Sequence, residues 1–213
     1  MPEQTTPPPA APQAFDQVAS KWAEATAPKP VAGHAGLFYA DVPNRAIAYI
    51  IDAILLAIIN IIVAAVFGVI GLSVYSVSVR DLLQGGNLVS VNYFAALIVA
   101  IANTAIGGAY FIYTWMNLRG SPGQRLLGMQ VGNAADGASL TMEQAIKRWI
   151  ALGAPIGIIS AFNPVPTLGV LLGLVGFIWF IALLVTTAQS PTKQGIHDQF
   201  AGTVVVKAAR AVD

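Results

Sequence analysis

The stretch "NRAIAYIIDAILLAIINIIVAAVFG", which opens at Asn44, carries Arg45 and Asp52 in an otherwise apolar run. A carboxylate held away from water can take up and release a proton, hold a cation, or be locked by a guanidinium. The seven residues from Arg45 to Asp52, at about 1.5 Å each, place the carboxylate about 10 Å along a helix axis. That is roughly a third of the way into a hydrocarbon core about 30 Å thick. An aspartate at such a depth costs about 2.5–3.5 kcal/mol on insertion scales. Arg45 stands at the helix end, where snorkelling to the interface accounts for it. Asp52 has no such escape. Both residues lie on one helix face, but helical side chains lean toward the N-terminus and carry the guanidinium away from the carboxylate, so a direct pair is strained. A further partner is expected from Arg119, Arg125, Arg148 or His197 at the rim, or from Asn60, Asn103, Thr104, Tyr110, Tyr113 or Thr114 deeper in the bundle.

A second acidic position, Asp198 in "GIHDQFAGT", follows the last apolar run by about ten residues. It is read as a turn or capping aspartate, or as a rim partner for Arg125 or Arg148. His197 beside it could relay a proton near neutral pH, although a lone histidine is more often a packing residue.

Signatures of soluble enzymes are missing. "GQRLLG" has the glycine spacing of a phosphate loop but lacks the Lys-Ser/Thr that must follow. The two histidines, His34 and His197, form no HExxH, no G-x-S-x-G elbow occurs, and there is no cysteine for a thiolate or cluster site. Neither catalysis nor a cofactor or metal is expected.

The elements that must hold these residues are membrane helices. The 213 residues are 56% hydrophobic and only 10% charged, against roughly 25% charged residues in soluble domains. The formal net charge of +1 offers no basic face for nucleic acid. Three runs, 45–72, 93–115 and 167–187, reach the roughly 20 residues that a spanning helix needs. A fourth, 149–162, is shorter and interrupted by Gly153, Pro155 and Gly157, so it reads as a short distorted span or a re-entrant piece. With four spans, ten of the eleven Lys and Arg residues fall on one side and only Arg80 opposite, the bias expected of a cytoplasmic face. Trp115 and Trp149 bracket the intervening loop, as indoles at headgroup level do. Small residues spaced by four, Ala64/Gly68, Gly153/Gly157 and Gly169/Gly173, suit close helix packing.

Residues 1–40 hold seven of the thirteen prolines and read as a disordered tail, with Phe15, Val18 and Trp22 on one face of a short amphipathic island. Between the second and third runs, Ser121 and Pro122 start a short helix before the β-like "GMQV". Thr141 and Gln144 form a capping box for a helix that carries Lys147 and Arg148. The β-branched "GTVVVKA" near the C-terminus can pair with "GMQV".

In this order, "NRAIAYIIDAIL", "SPGQRLLGMQV", "DGASLTMEQAIKR" and "QGIHDQFAGTVVV" resemble the RDD family of small bacterial membrane proteins, named for one arginine and two aspartates. The resemblance covers about residues 36–207. It implies that the family's arginine falls on Arg45 and its aspartates on Asp52 and Asp198, a polar centre for which the residue types above offer Arg125, Arg148, His197, Asn60 and Asn103 as supporting candidates. Gln124 and Gln130 stand where related sequences more often have a basic residue, which implies a weaker contact with an anionic lipid or ligand. The resemblance also implies a multi-pass protein of a bacterial plasma membrane, and for some members an exchange of cations and protons.

The expected fold is an all-α membrane protein: four transmembrane helices, the third short and distorted, over a small cytoplasmic β element in a domain spanning 41–207. A disordered tail, 1–40, precedes it and a short tail, 208–213, follows, with both termini cytoplasmic. One function fits a buried Arg/Asp centre: transport of a small ion or solute, for which a second copy would be needed to enclose a pathway in the bilayer. The other is a non-transporting scaffold that recruits a partner through the N-terminal tail.

Overall fold

A computed structural model describes residues 31–32, 38–160, 162 and 164–207. Residues 1–30, with the Phe15/Trp22 island, and 208–213 lie outside them. The chain is mostly helical, with three helices long and apolar enough to cross a membrane: α1 (Val42–Val69), α3 (Tyr93–Leu118) and α7 (Pro166–Gln189). Pro43 and Pro166 sit in the first turns of α1 and α7, where a missing N–H breaks no helical bond. Large aliphatic side chains such as Ile50, Ile54, Ile58 and Ile61 stand outward from α1, a surface suited to lipid.

Residues 149–162, expected as one short distorted helix, are divided. α5 (Met142–Leu152) ends at Gly153, and α6 (Ala154–Ser160) follows. Pro155 has no N–H to give the preceding turn, so the helical ladder cannot run through it. Gly157 then allows a close approach. A Cβ there would lie 2.6 Å from the Thr104 hydroxyl on α3. Of the other small residues read from the sequence, Gly173 has open space where its Cβ would be, so it serves no close contact within the chain.

Two sheets cap the helices. The larger has the order β1 (Val31–Ala32), β2 (Phe38–Tyr39), β6 (Thr203–Lys207), β5 (Met129–Asn133). β5 and β6 pair antiparallel from Met129↔Lys207 to Asn133↔Thr203, the "GMQV" and "TVVVK" segments. Two stretches that composition assigns to a disordered tail belong to this sheet. Tyr39 pairs with Val206, and β1 pairs with β2, which satisfies backbone groups that β6 would otherwise present at an open edge. Val205 and Met129 join Ala40, Ala48, Phe111 and Trp115 in the main core, while Tyr39, Val204 and Val206 form a second cluster. Trp115, expected at headgroup level, is only 1% exposed.

The second sheet is a hairpin, β3 (Tyr75–Val77) and β4 (Val89–Val91), between α1 and α3, with α2 (Val79–Leu83) at its tip. Its alternation is only three residues long on each side, too short to mark strands in the sequence. The two remaining helices, α4 (Pro122–Leu126) and α8 (Ile196–Ala201), lie against the sheet end of the bundle.

Candidate functional site

Asp198 is the third residue of α8, where its carboxylate reaches back to the Gly195 N–H at 3.3 Å. This local capping turns it inward, fully buried, between two guanidinium groups. Arg45 Nη1 donates to one oxygen at 2.7 Å, and Arg148 Nη1 donates to the other. Thr203 at the start of β6 accepts from Arg148 Nη1 at 2.6 Å. Arg45 also donates to the carbonyls of Ala40 (3.0 Å) and Val205 (3.3 Å). Arg45 leans toward the helix N-terminus, as helical side chains do, but its guanidinium does not snorkel. It ties α1 to α8 and to the sheet, at the end of β2 and at β6. Burial would push the Asp198 carboxyl up, yet the positive charges of Arg148 and Arg45 outweigh it and hold the group below the usual carboxylate range.

His197 is buried beside this cluster, its Nε2 3.5 Å from Asp198. Burial, aided by Arg148 and Arg45 against the opposing pull of Asp198, lowers its pKa from 6.5 to about 4. It is therefore neutral at pH 7, and its contact with Asp198 is not an ion pair. Both shifts are depressions, so the stability they carry is complete above the unfolded pKa and is lost as pH falls through the folded one. For His197 the window runs from pH 6.5 to about 4 and is worth about 3 kcal/mol, with the Asp198 contribution fading only below pH 3.8. Thermal unfolding in detergent should show this loss, and His197→Asn should remove the upper arm alone. A variant with the same loss between pH 6.5 and 4 as the parent would refute the assignment.

Asp52 forms a separate cluster. It is 2% exposed and accepts from the Tyr110 hydroxyl on α3 at 2.8 Å, from the Gly123 N–H at 2.8 Å and from the Ser121 hydroxyl. Among the described residues no cation lies within ion-pair distance of it. The expected outside partner is thus a set of neutral donors. The "SPG" turn supplies two of them because Ser121 caps α4 and Pro122 opens it. Gly123 then lies so close to α1 that a Cβ would overlap the Ala48 carbonyl.

Trp115 links the two clusters. Its indole N–H donates to Gln124 at 3.2 Å, and the Arg148 guanidinium stands over its ring, 5.0 Å from the centroid. Gln124 completes the α4 capping box by accepting from the Ser121 N–H at 2.9 Å. Between the clusters lies a cavity of about 80 Å³, walled on one side by Arg45, Arg148 and His197 and on another by Asp52, with Phe180 and Leu183 of α7 among its apolar lining.

Of the residues singled out in the sequence, Arg45, Asp198, Arg148 and His197 meet in one cluster, and Asp52 stands across the cavity from three of them. Arg125 is exposed and joins neither group. Asn60 and Asn103 lie farther along α1 and α3. Ser121, Gly123, Gln124, Thr203 and Trp115 complete the site, yet in the sequence Ser121, Thr203 and Trp115 signal only a cap, a strand and an interface.

No curated protein and no solved structure matches the chain. The family model described as "RDD family" matches residues 39–202, a stretch that contains every charged residue of both clusters. The chain belongs to the RDD family.

Proposed function

We propose that this integral membrane protein carries a small ion, exchanging cations against protons, and catalyses no covalent step. In this reading α1, α3, the broken α5–α6 pair and α7 make four crossings of a bacterial plasma membrane. The sheet end and both termini face the cytoplasm, and the lipid bilayer and a second copy of the chain are its neighbours. One observation carries the proposal. Asp52 is buried in a membrane helix, is held by neutral donors, and borders a cavity large enough for several waters. A carboxylate clamped by arginine is a fixed joint, and Asp198 is such a joint. A carboxylate held by hydroxyl and amide donors keeps its charge available to a cation or proton in the adjoining space. Arg148 Nε and His197 Nδ1, buried on residues that line the same cavity, have no hydrogen-bond partner among the described residues, as expected where water or a solute normally sits.

Purified protein in liposomes under a sodium or potassium gradient should move protons, read by an internal pH dye. Asp52→Asn keeps the shape and removes the charge, and should lower the rate by about a hundredfold, as loss of an essential ionisable group does. Absence of flux from the unsubstituted protein would refute transport and leave the scaffold reading. Unchanged flux in Asp52→Asn would refute the role of the carboxylate.

A further inference from the structure

Beyond the Asp52 cavity, two more cavities follow α1 toward the hairpin end. One, of about 220 Å³, is bordered by Tyr49, Ala57, Asn60 and Phe111. Tyr49 and Phe111 also line the first cavity, so these two rings form the partition between them. The next, of about 420 Å³, is bordered by Ala64 of α1, Asn103 and Ala100 of α3, Tyr75 of the hairpin and Pro164. At about 100° per residue, Arg45, Tyr49, Asp52, Asn60 and Ala64 fall within about a third of the α1 circumference. The three spaces therefore follow one another along a single helix face, from the sheet end to the hairpin end.

The walls are not purely apolar. Oδ1 of Asn60 and Oδ1 of Asn103 are buried and have no hydrogen-bond partner among the described residues. A carbonyl oxygen away from water with no donor carries an uncompensated desolvation cost. A space of only about 10–15 Å³ of probe-occupied volume already holds a water. Both cavities exceed that many times over, so each unpaired oxygen has room for a donor beside it. The unpaired polar atoms along the far part of the face are acceptor oxygens, and no residue lining these two spaces is cationic; oxygen acceptors select hard, positively charged or hydrogen-donating species. At the sheet end the charges of Arg45 and Arg148 are balanced by those of Asp198 and Asp52, which leaves no net positive barrier there.

We propose that these three cavities form one hydrated route along α1 for a small monovalent cation, in which the side-chain oxygens of Asn60 and Asn103 are stepping sites and the Tyr49 and Phe111 rings are the gate before Asp52. The inference rests on the transport reading, and its test separates the two. The chain has no cysteine, so single cysteines report without background. Ala57→Cys and Ala100→Cys lie on the second and third cavities, and Ile61→Cys, on a residue 69% exposed on the outer face of α1, is the lipid-facing control. Thiols react as thiolates, which need water, so a cationic methanethiosulfonate should modify both cavity positions about tenfold faster than Ile61→Cys. It should also outpace its anionic analogue.

Equal rates at all three positions would mean that lipid fills the cavities and would overturn the route, as would a faster anionic reagent. In liposomes Asn60→Leu and Asn103→Leu should each slow cation-coupled flux by about tenfold, the loss of one buried acceptor. Flux unchanged in both variants would overturn the stepping sites, while Asp52→Asn still tests transport. Labelled cavity cysteines in a protein without flux would uphold the hydrated route and refute transport.

Discussion

Replacing Asp198 by alanine should cost about 3–5 kcal/mol of folding stability, the largest loss expected of any single substitution in the sheet-end cluster. The cost comes from what is left behind. Arg148 is 2% exposed and Arg45 is mostly buried, and without the carboxylate two guanidinium groups face one another with no counter-charge within ion-pair distance among the described residues. Thr203 would keep one bond to Arg148, and the Ala40 and Val205 carbonyls would keep two to Arg45, so hydrogen bonding is only partly lost. The charge imbalance is not relieved. The measurement is thermal unfolding in detergent, with Asp198→Asn as the second variant, which retains the shape and the Gly195 cap while removing the charge. If Asp198→Asn unfolds within about 0.5 kcal/mol of the parent, the cluster acts through hydrogen bonds and the electrostatic account fails. Arg148→Met combined with Asp198→Leu removes one guanidinium together with the carboxylate and should recover part of the loss, because only Arg45, still held by the Ala40 and Val205 carbonyls, is then left without its ion partner.

Gly123→Val should be nearly as damaging, by about 3 kcal/mol or more, and for a steric reason. Any Cβ at 123 overlaps the Ala48 carbonyl and comes within 3.0 Å of the Asp52 carboxyl carbon. The α1 backbone cannot yield there, since the Ala48 carbonyl lies in the second turn of α1, within its hydrogen-bonded ladder. The "SPG" turn must therefore lift away, and Asp52 loses the Gly123 N–H and the Ser121 hydroxyl together. Overpacking of about 1–3 kcal/mol combines with the loss of charge-assisted bonds worth about 1.5–3 kcal/mol each. Gly173→Ala is the matched control. Its Cβ meets nothing within 4 Å, and alanine favours the helix by about 1 kcal/mol, so it should be neutral or stabilising. Comparable losses in both variants would show that general glycine effects, and not the contact with α1, set the result. Because the same turn holds Asp52 in place, Gly123→Val protein that survives purification should, on the proposed transport function, also show reduced flux in liposomes.

Much of this protein can be read along the chain because the relevant physics is local. Uninterrupted apolar runs establish where α1, α3 and α7 lie, since length and polarity alone decide what can cross a bilayer. The Ser121 N-cap and the Thr141/Gln144 capping box are local geometries, and both form. The β-branched segments "GMQV" and "TVVVK" are strands that pair with one another. The cost of burying Asp52 is also legible, as is the poor geometry of a direct Arg45 bond. Tertiary structure alone decides who satisfies each charge. Arg45 and Asp198 are 153 residues apart, Gly123 and Asp52 are 71 apart, and Tyr110 and Asp52 are 58 apart, separations at which no helical or strand period carries information. Sequence grouped Arg45, Asp52 and Asp198 as one centre. Packing divides them into a locked ion cluster and a carboxylate held by neutral donors, because a guanidinium that leans toward the sheet reaches Asp198, while the Gly123 turn occupies the space beside Asp52.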